Sequence, residues 1–222
     1  MLTPGELDAF IKSADSVHHA AAGHLRTRQN EQSVIAFISN LQSSVTSVID
    51  GAIAQGVAIA CGKGCCYCCH ARIVALAPEI FCIAQELECQ PIDERNQVIE
   101  RLKTHGNSVN ESAAWALRPK CPFLTDKLCS IYEVRPSRCR KAHSLDVTKC
   151  ESDATEIPQD LGVVLSVEAL MNGISAAYST CGFSATSHEL GRGVLLALSD
   201  PTAESRWYSG EEVFAPVEAA LP

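Results

Sequence analysis

The residues of this chain that are best suited to do chemistry are cysteines, and five of them lie within one segment of nine residues. They are Cys61, Cys65, Cys66, Cys68 and Cys69. Two glycines between the first two cysteines permit the positive φ angles that a loop needs to wrap around a metal. Thiolate sulfur is a preferred ligand of zinc and of iron–sulfur clusters. The segment therefore predicts a metal or cluster site.

A second group of cysteines follows after a long gap. Its members are Cys121, Cys129, Cys139 and Cys150. The candidate metal ligands are these four together with Cys61, Cys65, Cys68 and Cys69. Zinc and a cubane cluster each take four thiolates, so eight thiols suit two sites, or one cluster with a structural metal. The last two of the first group are adjacent, and we expect their side chains to point in different directions.

Helices are predicted before the first cysteine group. The residues of a helix N-terminus stand at the start of the chain, namely Thr3, Pro4 and Glu6. Apolar residues then follow on one helical face, namely Leu7, Phe10, Ile11, Ala14 and Val17. A second helix, with apolar residues every three or four positions, is predicted from Val34 to Ile53 and ends near Gly56. Residues 1–60 are therefore predicted to form an N-terminal helical hairpin.

Between the two cysteine groups a short strand precedes two further helices. Residues 71–76 alternate enough for a strand, and helices are predicted from Pro78 to Leu87 and from Pro91 to Gly106. Cys82 and Cys89 lie in this stretch, where we interpret them as small, buried apolar residues. These two cysteines are therefore not counted among the candidate ligands.

The remainder of the chain is predicted to pass from loops back to helices. Residues 108–118 predict a connector or a short helix, and residues 119–150, which lack periodicity, predict loops and single turns held by a metal. A buried helix is predicted from Leu161 to Tyr178, and Thr186 with Glu189 is predicted to cap another. The end of the chain predicts a weakly structured tail anchored by Trp207, Tyr208 and Phe214.

These patterns predict a mainly α fold, a helical domain with a cysteine-rich, loop-dominated metal-binding region. The chain has 222 residues, of which 46% are hydrophobic, so it can build a real core without disulfide staples. We expect a single domain, 1–222, with three consecutive parts. They are the hairpin at 1–60, the cysteine-cluster region at 61–150, and the C-terminal helices and tail at 151–222.

The N-terminus and the charge suggest where the protein works. Residues 1–6 lack the basic and apolar parts of a signal peptide, and the sequence predicts no membrane span, so we expect a cytoplasmic protein. Cytoplasmic thiols stay reduced, which favours metal ligation over disulfides. The net charge of −8 argues against nucleic-acid binding. The basic segment 120–149 is either a solvated face or a counter-charge to a metal or an anionic substrate.

The second cysteine group carries a recognisable signature. It reads Cys121-Pro122-Phe123-Leu124, then Cys129-Ser130-Ile131-Tyr132, then Arg135-Pro136 and Cys139-Arg140. This resembles the signature of the CxxCxxCC family, also called YkgJ-like, which is described as zinc- or iron-chelating. The resemblance covers roughly residues 61–150 and implies a cytoplasmic protein whose eight cysteines bind zinc, iron or an iron–sulfur cluster. It implies no particular reaction.

A more distant resemblance, in the cysteine pattern, is to flagellin lysine methylase. That resemblance implies an iron–sulfur cluster used with S-adenosylmethionine, and hence an oxidoreductase or modifying enzyme acting on a protein or small-molecule substrate. The chain departs from the family pattern at the extra Cys66 and at the polar Lys141-Ala142-His143. These departures put the ligand set in question and make His143 a reserve ligand.

A third pattern is disfavoured by its context. Cys61, Cys65, Tyr67 and Cys68 satisfy the spacing of radical S-adenosylmethionine enzymes. That chemistry is normally housed in a β/α barrel, and the segments around these cysteines are predicted to be helices without βα alternation.

The other residues of the signature have roles that follow from their chemistry. Phe123 and Ile131 would shield the site from water, and the prolines would stiffen its loops. Arg138 and Arg140 are the candidate cofactor-binding residues, donating hydrogen bonds towards thiolate sulfur; salt bridges to nearby carboxylates are the alternative. Two hypotheses remain, an enzyme with an open metal position and a zinc-stabilised structural or protein-interaction module.

Overall fold

The computed structural model describes residues 2–28, 30–62, 64–108, 119–152 and 154–214. The predicted connector at 108–118 lies outside these ranges except for its first residue. The predicted tail lies outside them beyond Phe214.

The described chain is mainly helical, as predicted. Its α-helices are α1 (Pro4–Arg26), α2 (Glu31–Ala36), α3 (Ile38–Ala54), α4 (Ala77–Glu88), α5 (Ile92–Ser108), α6 (Ser137–Lys141), α7 (Val147–Glu151), α8 (Leu161–Thr180), α9 (Leu190–Ser199) and α10 (Ala203–Tyr208). Its strands are β1 (Val74–Leu76), β2 (Leu124–Thr125), β3 (Leu128–Cys129) and β4 (Ser187–Glu189). Short 3-10 helices are formed by Tyr67–His70 and Tyr132–Val134.

The contacts divide the chain into two compact units. Unit 1 comprises residues 1–62 and 140–185, and unit 2 comprises residues 63–139 and 186–222. The units interleave along the chain, whereas the predicted parts were consecutive. The reason lies in packing between elements distant in sequence, since α8 joins the N-terminal helices of unit 1 and α9 joins α4 and α5 of unit 2.

Unit 1 is built on close contact between α1 and α8. The predicted capping box at the start of α1 is confirmed: the Thr3 hydroxyl accepts a hydrogen bond from the Glu6 amide at 3.3 Å, and the Glu6 carboxylate accepts one from the Thr3 amide at 2.7 Å. Gly173 of α8 lies so near α1 that an added Cβ would stand 2.6 Å from the Val17 side chain. The two helices therefore touch at a position where no side chain fits.

The helix predicted from Val34 to Ile53 is two helices, α2 and α3, separated at Phe37. Phe37 is buried and keeps helical dihedral angles, φ −58° and ψ −27°. The apolar face therefore continues across the interruption, and periodicity alone cannot detect the break. The Tyr178 hydroxyl of α8 donates a hydrogen bond to the Val34 carbonyl at 2.9 Å, which joins α8 to α2.

Unit 2 begins from an antiparallel strand pair. β1, which lies in the predicted strand, pairs with β4 in the register Val74↔Glu189, and β4 runs directly into α9. The predicted cap at Thr186 is wrong, because the residues after it pair with β1. Glu189 is the N-cap instead, and its carboxylate accepts a hydrogen bond from the Arg192 amide at 2.8 Å.

The core of unit 2 also holds the C-terminal part of the described chain. The predicted weakly structured tail is corrected, since it contains α10. Trp207 and Phe214 are buried, as predicted for anchors, and their rings lie 5.8 and 5.3 Å from the ring of Phe81. Cys82 is half-buried on α4, but Cys89 is exposed, so its predicted burial is wrong.

One described helix, α8, is long and apolar enough to cross a membrane by length and composition alone, with a mean hydropathy of 1.4 over an 18-residue window. This finding qualifies the expectation that the chain has no such stretch. The same test is passed by core helices of soluble proteins, and α8 is the helix on which α1 and α3 pack in unit 1.

Candidate metal centre

Five of the eight candidate cysteines are linked by electrostatic interactions within unit 2. They are Cys68, Cys69, Cys121, Cys129 and Cys139, and we call them the thiol cluster. Their proximity is expressed in their ionisation. Burial raises the pKa of Cys139, and the negative charges of the Cys121, Cys68 and Cys129 sulfurs raise it further. The thiol cluster therefore joins members of both cysteine groups of the sequence.

Cys68 and Cys69 interact directly. A hydrogen bond from the Cys69 thiol lowers the pKa of Cys68 to about 6, against the effect of burial and with help from the charge of Arg135. The same bond raises the pKa of Cys69, as do burial and the charges of neighbouring sulfurs. The Cys68 residue is exposed, so the hydrogen bond dominates the shift of its pKa. The prediction that these adjacent side chains point apart is wrong, because their sulfurs meet.

The remaining thiols of the cluster are protonated when no metal is bound. Burial raises the pKa of Cys121 to about 11, although a hydrogen bond from the Phe123 amide lowers it. Burial also raises the pKa of Cys129. A bound metal must displace these protons, so ligation by the cluster would release protons and weaken as the pH falls.

Backbone contacts join the segments that carry the cluster. The Cys121 amide donates a hydrogen bond to the Cys69 carbonyl at 2.8 Å, which connects the first 3-10 helix to the second cysteine group. Cys129 ends the hairpin of β2 and β3, where it pairs with Leu124. The turn of the hairpin consists of two residues in the left-handed region, Asp126 (φ 50°) and Lys127 (φ 64°), as a type I′ turn requires.

A residue outside the motif supports the Cys121 loop. The Arg101 side chain of α5 donates a hydrogen bond from Nε to the Pro122 carbonyl at 2.9 Å. The cysteine spacing could not predict this contact, because Arg101 lies on α5, which comes before the second cysteine group in the sequence. Phe123 and Ile131 are both buried, which agrees with the shielding role predicted for them.

A second residue missed by the sequence analysis is Glu79, which is 2% exposed in the first turn of α4. Its Oε2 accepts a hydrogen bond from the Leu76 amide at 3.1 Å, and its Oε1 accepts one from the Ser137 amide at 2.6 Å. Burial raises the pKa of Glu79, while these bonds and the charge of Arg138 oppose the rise. The sequence offered one sign of this role. Leu76, which precedes α4, has no side-chain oxygen that could cap the helix, so the cap must come from another residue.

The arginines are distributed differently from the prediction. Arg135 stacks on Tyr132, with its Cζ atom 3.7 Å from the ring centroid, and its charge lowers the pKa of Cys129. The two predicted cofactor-binding residues have other contacts. The charge of Arg138 lowers the pKa of Glu79. Arg140 donates a hydrogen bond to the Thr46 hydroxyl at 3.2 Å within unit 1. Arg135 therefore acts on two thiols of the cluster, Cys68 and Cys129, through its charge.

The other three predicted ligands are Cys61, Cys65 and Cys150. Cys65 is half-buried in unit 2, just after Gly64. Cys61 and Cys150 belong to unit 1, where Cys61 is exposed and the Cys150 sulfur lies 4.0 Å from the Asp146 carbonyl oxygen.

The reserve ligand, His143, is engaged in backbone hydrogen bonds. It is 4% exposed, its Nδ1 lies 2.9 Å from the Lys141 carbonyl oxygen, and its Nε2 accepts a hydrogen bond from the Asp160 amide at 3.0 Å. Both ring nitrogens are therefore used within unit 1. Metal ligation by His143 would require one of these bonds to break.

Among the described residues, no group of three or more His, Cys, Asp or Glu side chains has the geometry to hold a metal ion. The donor chemistry nevertheless fits a thiolate metal. The five thiols of the cluster are of the donor type that zinc and a cubane cluster take, and either group takes four of them. Their arrangement in this structure is not that of a metal site. The residues present are compatible with such a group in donor type.

Comparison with known proteins gives no further guide. No protein-family model, no curated protein and no solved structure matches this chain. The resemblances to the CxxCxxCC family and to flagellin lysine methylase therefore stay predictions. A function for this chain must therefore be inferred from its own residues.

Proposed function

We propose that this chain is a metal-binding protein that holds zinc, iron or an iron–sulfur cluster through four sulfurs of the thiol cluster. The supporting observation is that sulfurs from four separate places in unit 2 act on one another electrostatically. These places are the first 3-10 helix, the turn before β2, the end of β3 and the middle of α6. Thiols gathered from distant parts of a chain are typical of metal sites.

The weakness of the surrounding secondary structure also supports ligation. Residues 119–139 contain two strands of two residues each, one 3-10 turn and the start of the short helix α6. Elements this short are marginal on their own, and the apolar core that they bury is small, with Phe123, Leu124 and Ile131 as its members. A metal that binds only the folded form adds its binding free energy to the stability of such a segment.

The identity of the metal determines the chemistry. An iron–sulfur cluster supplies one-electron redox chemistry when bound, which agrees with the predicted oxidoreductase or S-adenosylmethionine-dependent modification of a protein or small molecule. A closed zinc site supplies stability alone, and the small core of residues 119–139 favours this second candidate, a structural or protein-interaction module. Ligation by Cys61, Cys65 and Cys150 stays a prediction from the sequence.

The proposal is tested by elemental analysis and visible spectroscopy of protein purified without oxygen and without an affinity metal. Iron with sulfide and a brown colour would identify a cluster and justify assays for redox or methyl-transfer activity. Stoichiometric zinc in a colourless protein would identify the structural module. Protein that neither carries a metal nor takes up zinc or iron on reconstitution under reducing conditions would refute the proposal.

Two cysteine variants assign the ligands. Cys139→Ser should lower the metal content, because it removes a sulfur of the thiol cluster. Cys82→Ser is the matched control, since Cys82 lies on α4 outside the cluster, and it should leave the metal content unchanged. Equal metal content in both variants would exclude Cys139 as a ligand.

A further inference from the structure

Glu79 is a buried carboxylate that joins α4 to the first residue of α6 within unit 2. Its two oxygens accept hydrogen bonds from amides on different elements, Leu76 before α4 and Ser137 at the start of α6, at 3.1 and 2.6 Å. Both amides belong to helix N-termini, where the first N–H groups have no partner inside the helix. A carboxylate at such a position is favoured by the charge of the helix dipole. One side chain thereby caps two helices that lie 58 residues apart in sequence.

This contact controls where a thiol of the cluster stands. Cys139 is two residues after Ser137, within the single short helix α6. A helix of five residues has little stability of its own, so its position depends on contacts at its ends. The bond from the Ser137 amide to Glu79 is such a contact, and the carboxylate is close enough for its charge to act on the Cys139 thiol.

We propose that Glu79 is the positioning residue of the metal centre, which holds α6 so that Cys139 stands among the other thiols. This inference rests on the proposed metal-binding function, which it deepens by adding a residue that supports a ligand without being one. Both carboxylate oxygens are occupied by amides, so Glu79 acts through Cys139. Residues that orient ligands typically change metal affinity by roughly 10- to 100-fold when mutated.

Glu79→Gln is the informative variant. Glutamine has nearly the same shape, but only its oxygen accepts hydrogen bonds, and its NH₂ group would face one of the two amides. One helix N-terminus then loses its acceptor. Glu79→Asp keeps the charge but is one methylene shorter, so it cannot reach both amides, and it serves as the second variant if the glutamine form does not fold. Glu86→Gln, at an exposed position of α4, is the matched control.

The test measures the affinity of the metal-free protein for Co²⁺, followed through the thiolate-to-cobalt absorption bands, in a double-mutant cycle. In the wild-type background Glu79→Gln should weaken Co²⁺ binding roughly 10- to 100-fold, and Glu86→Gln should leave it unchanged. In a Cys139→Ser background Glu79→Gln should have no further effect, because the ligand that it positions is gone. In a Cys129→Ser background its full effect should remain.

The outcomes separate this inference from the proposed function. If the wild-type protein takes up neither Co²⁺ nor, on reconstitution, zinc or iron, both fail. If it takes up iron but not Co²⁺, iron content replaces Co²⁺ affinity as the readout of the same variants. If it binds Co²⁺ but Glu79→Gln and Glu79→Asp bind it as tightly as wild type, only the role of Glu79 is overturned. The same holds if Glu79→Gln weakens binding equally in the Cys139→Ser and Cys129→Ser backgrounds, because a general loss of structure would act on both.

Discussion

Unit 1 and the segment of unit 2 at residues 119–139 hold their elements together by different means. In unit 1, long helices bury apolar faces, and α1 approaches α8 closely enough at Gly173 to exclude any side chain. In residues 119–139, short elements are tied by individual polar contacts, such as Arg101 to the Pro122 carbonyl and Glu79 to the Ser137 amide. The first region is specified by packing between long helices, whereas the second combines a small buried core with individual polar contacts.

Metal removal should separate the two regions most clearly. Chelation under reducing conditions should lower the hydrogen-exchange protection of amides in residues 119–139 by at least about 100-fold, since structural zinc binding contributes on the order of 10 kcal/mol. The Cys121 and Ser137 amides are the markers, because each has a defined acceptor. Amides of α1 and α8 in unit 1 should keep their protection. An equal loss in both regions would contradict the comparison.

Phe123→Ala should produce the next largest effect. Phe123 is fully buried beside the Cys121 loop, so its removal leaves a cavity and should lower the free energy of unfolding by about 3–5 kcal/mol. Metal content should fall with it, because the loop loses its apolar support. Leu128→Ala, on the exposed side of the same hairpin, is the control and should change stability by less than about 0.5 kcal/mol. Urea unfolding and elemental analysis measure both.

Gly173→Ala tests the packing of unit 1. Its Cβ would stand 2.6 Å from the Val17 side chain and 2.7 Å from the Ala14 carbonyl oxygen, so the helices must separate, at a cost of about 1–3 kcal/mol. Metal content should not change. Gly23→Ala in α1 meets no atom within 4 Å and should instead stabilise the protein by up to about 1 kcal/mol. Thermal unfolding of the two variants measures this difference. Equal melting temperatures for the two variants would contradict the prediction.

The smallest expected effect concerns the pH dependence of unit 2. Burial raises the pKa of Glu189, but hydrogen bonds from His105 and from the Arg192 and Gly191 amides outweigh it, and the pKa is lowered overall. A carboxyl with a lowered pKa stabilises the fold above its unfolded pKa of about 4.3. That stability is lost as the pH falls through the folded pKa.

Glu189→Gln should therefore be less stable than wild type at neutral pH and should lose less further stability on acidification below about pH 4.3. Urea unfolding across this range measures the difference. Glu86→Gln should follow the wild-type curve. Parallel curves for wild type and Glu189→Gln would show that the carboxylate contributes nothing to the acid sensitivity of unit 2.

Much of the helical architecture could be predicted because its determinants are local. The capping box at Thr3 depends on residues within one turn of each other, and so do the prolines Pro78 and Pro91 at the starts of the helices predicted there. The predictions failed where a distant strand intervened, as at Thr186, which matches a capping pattern but precedes residues that pair with β1. They also failed where a helix stopped for one buried residue, Phe37, which keeps helical dihedral angles.

The sequence by itself determined which side chains carry sulfur and where α4, α5 and α8 begin and end to within two residues. It also showed that the segment around the second cysteine group has little periodicity. Only the tertiary structure decided that cysteines of both groups, Cys68 and Cys69 with Cys121, Cys129 and Cys139, interact within unit 2. It also decided that Glu79 and Arg101 support them. The physical reason is the distance in sequence between the residues that interact. A helix forms through contacts between residues three or four positions apart. A thiol cluster depends on contacts between elements far apart in sequence, and the spacing of cysteines does not show which elements pack together.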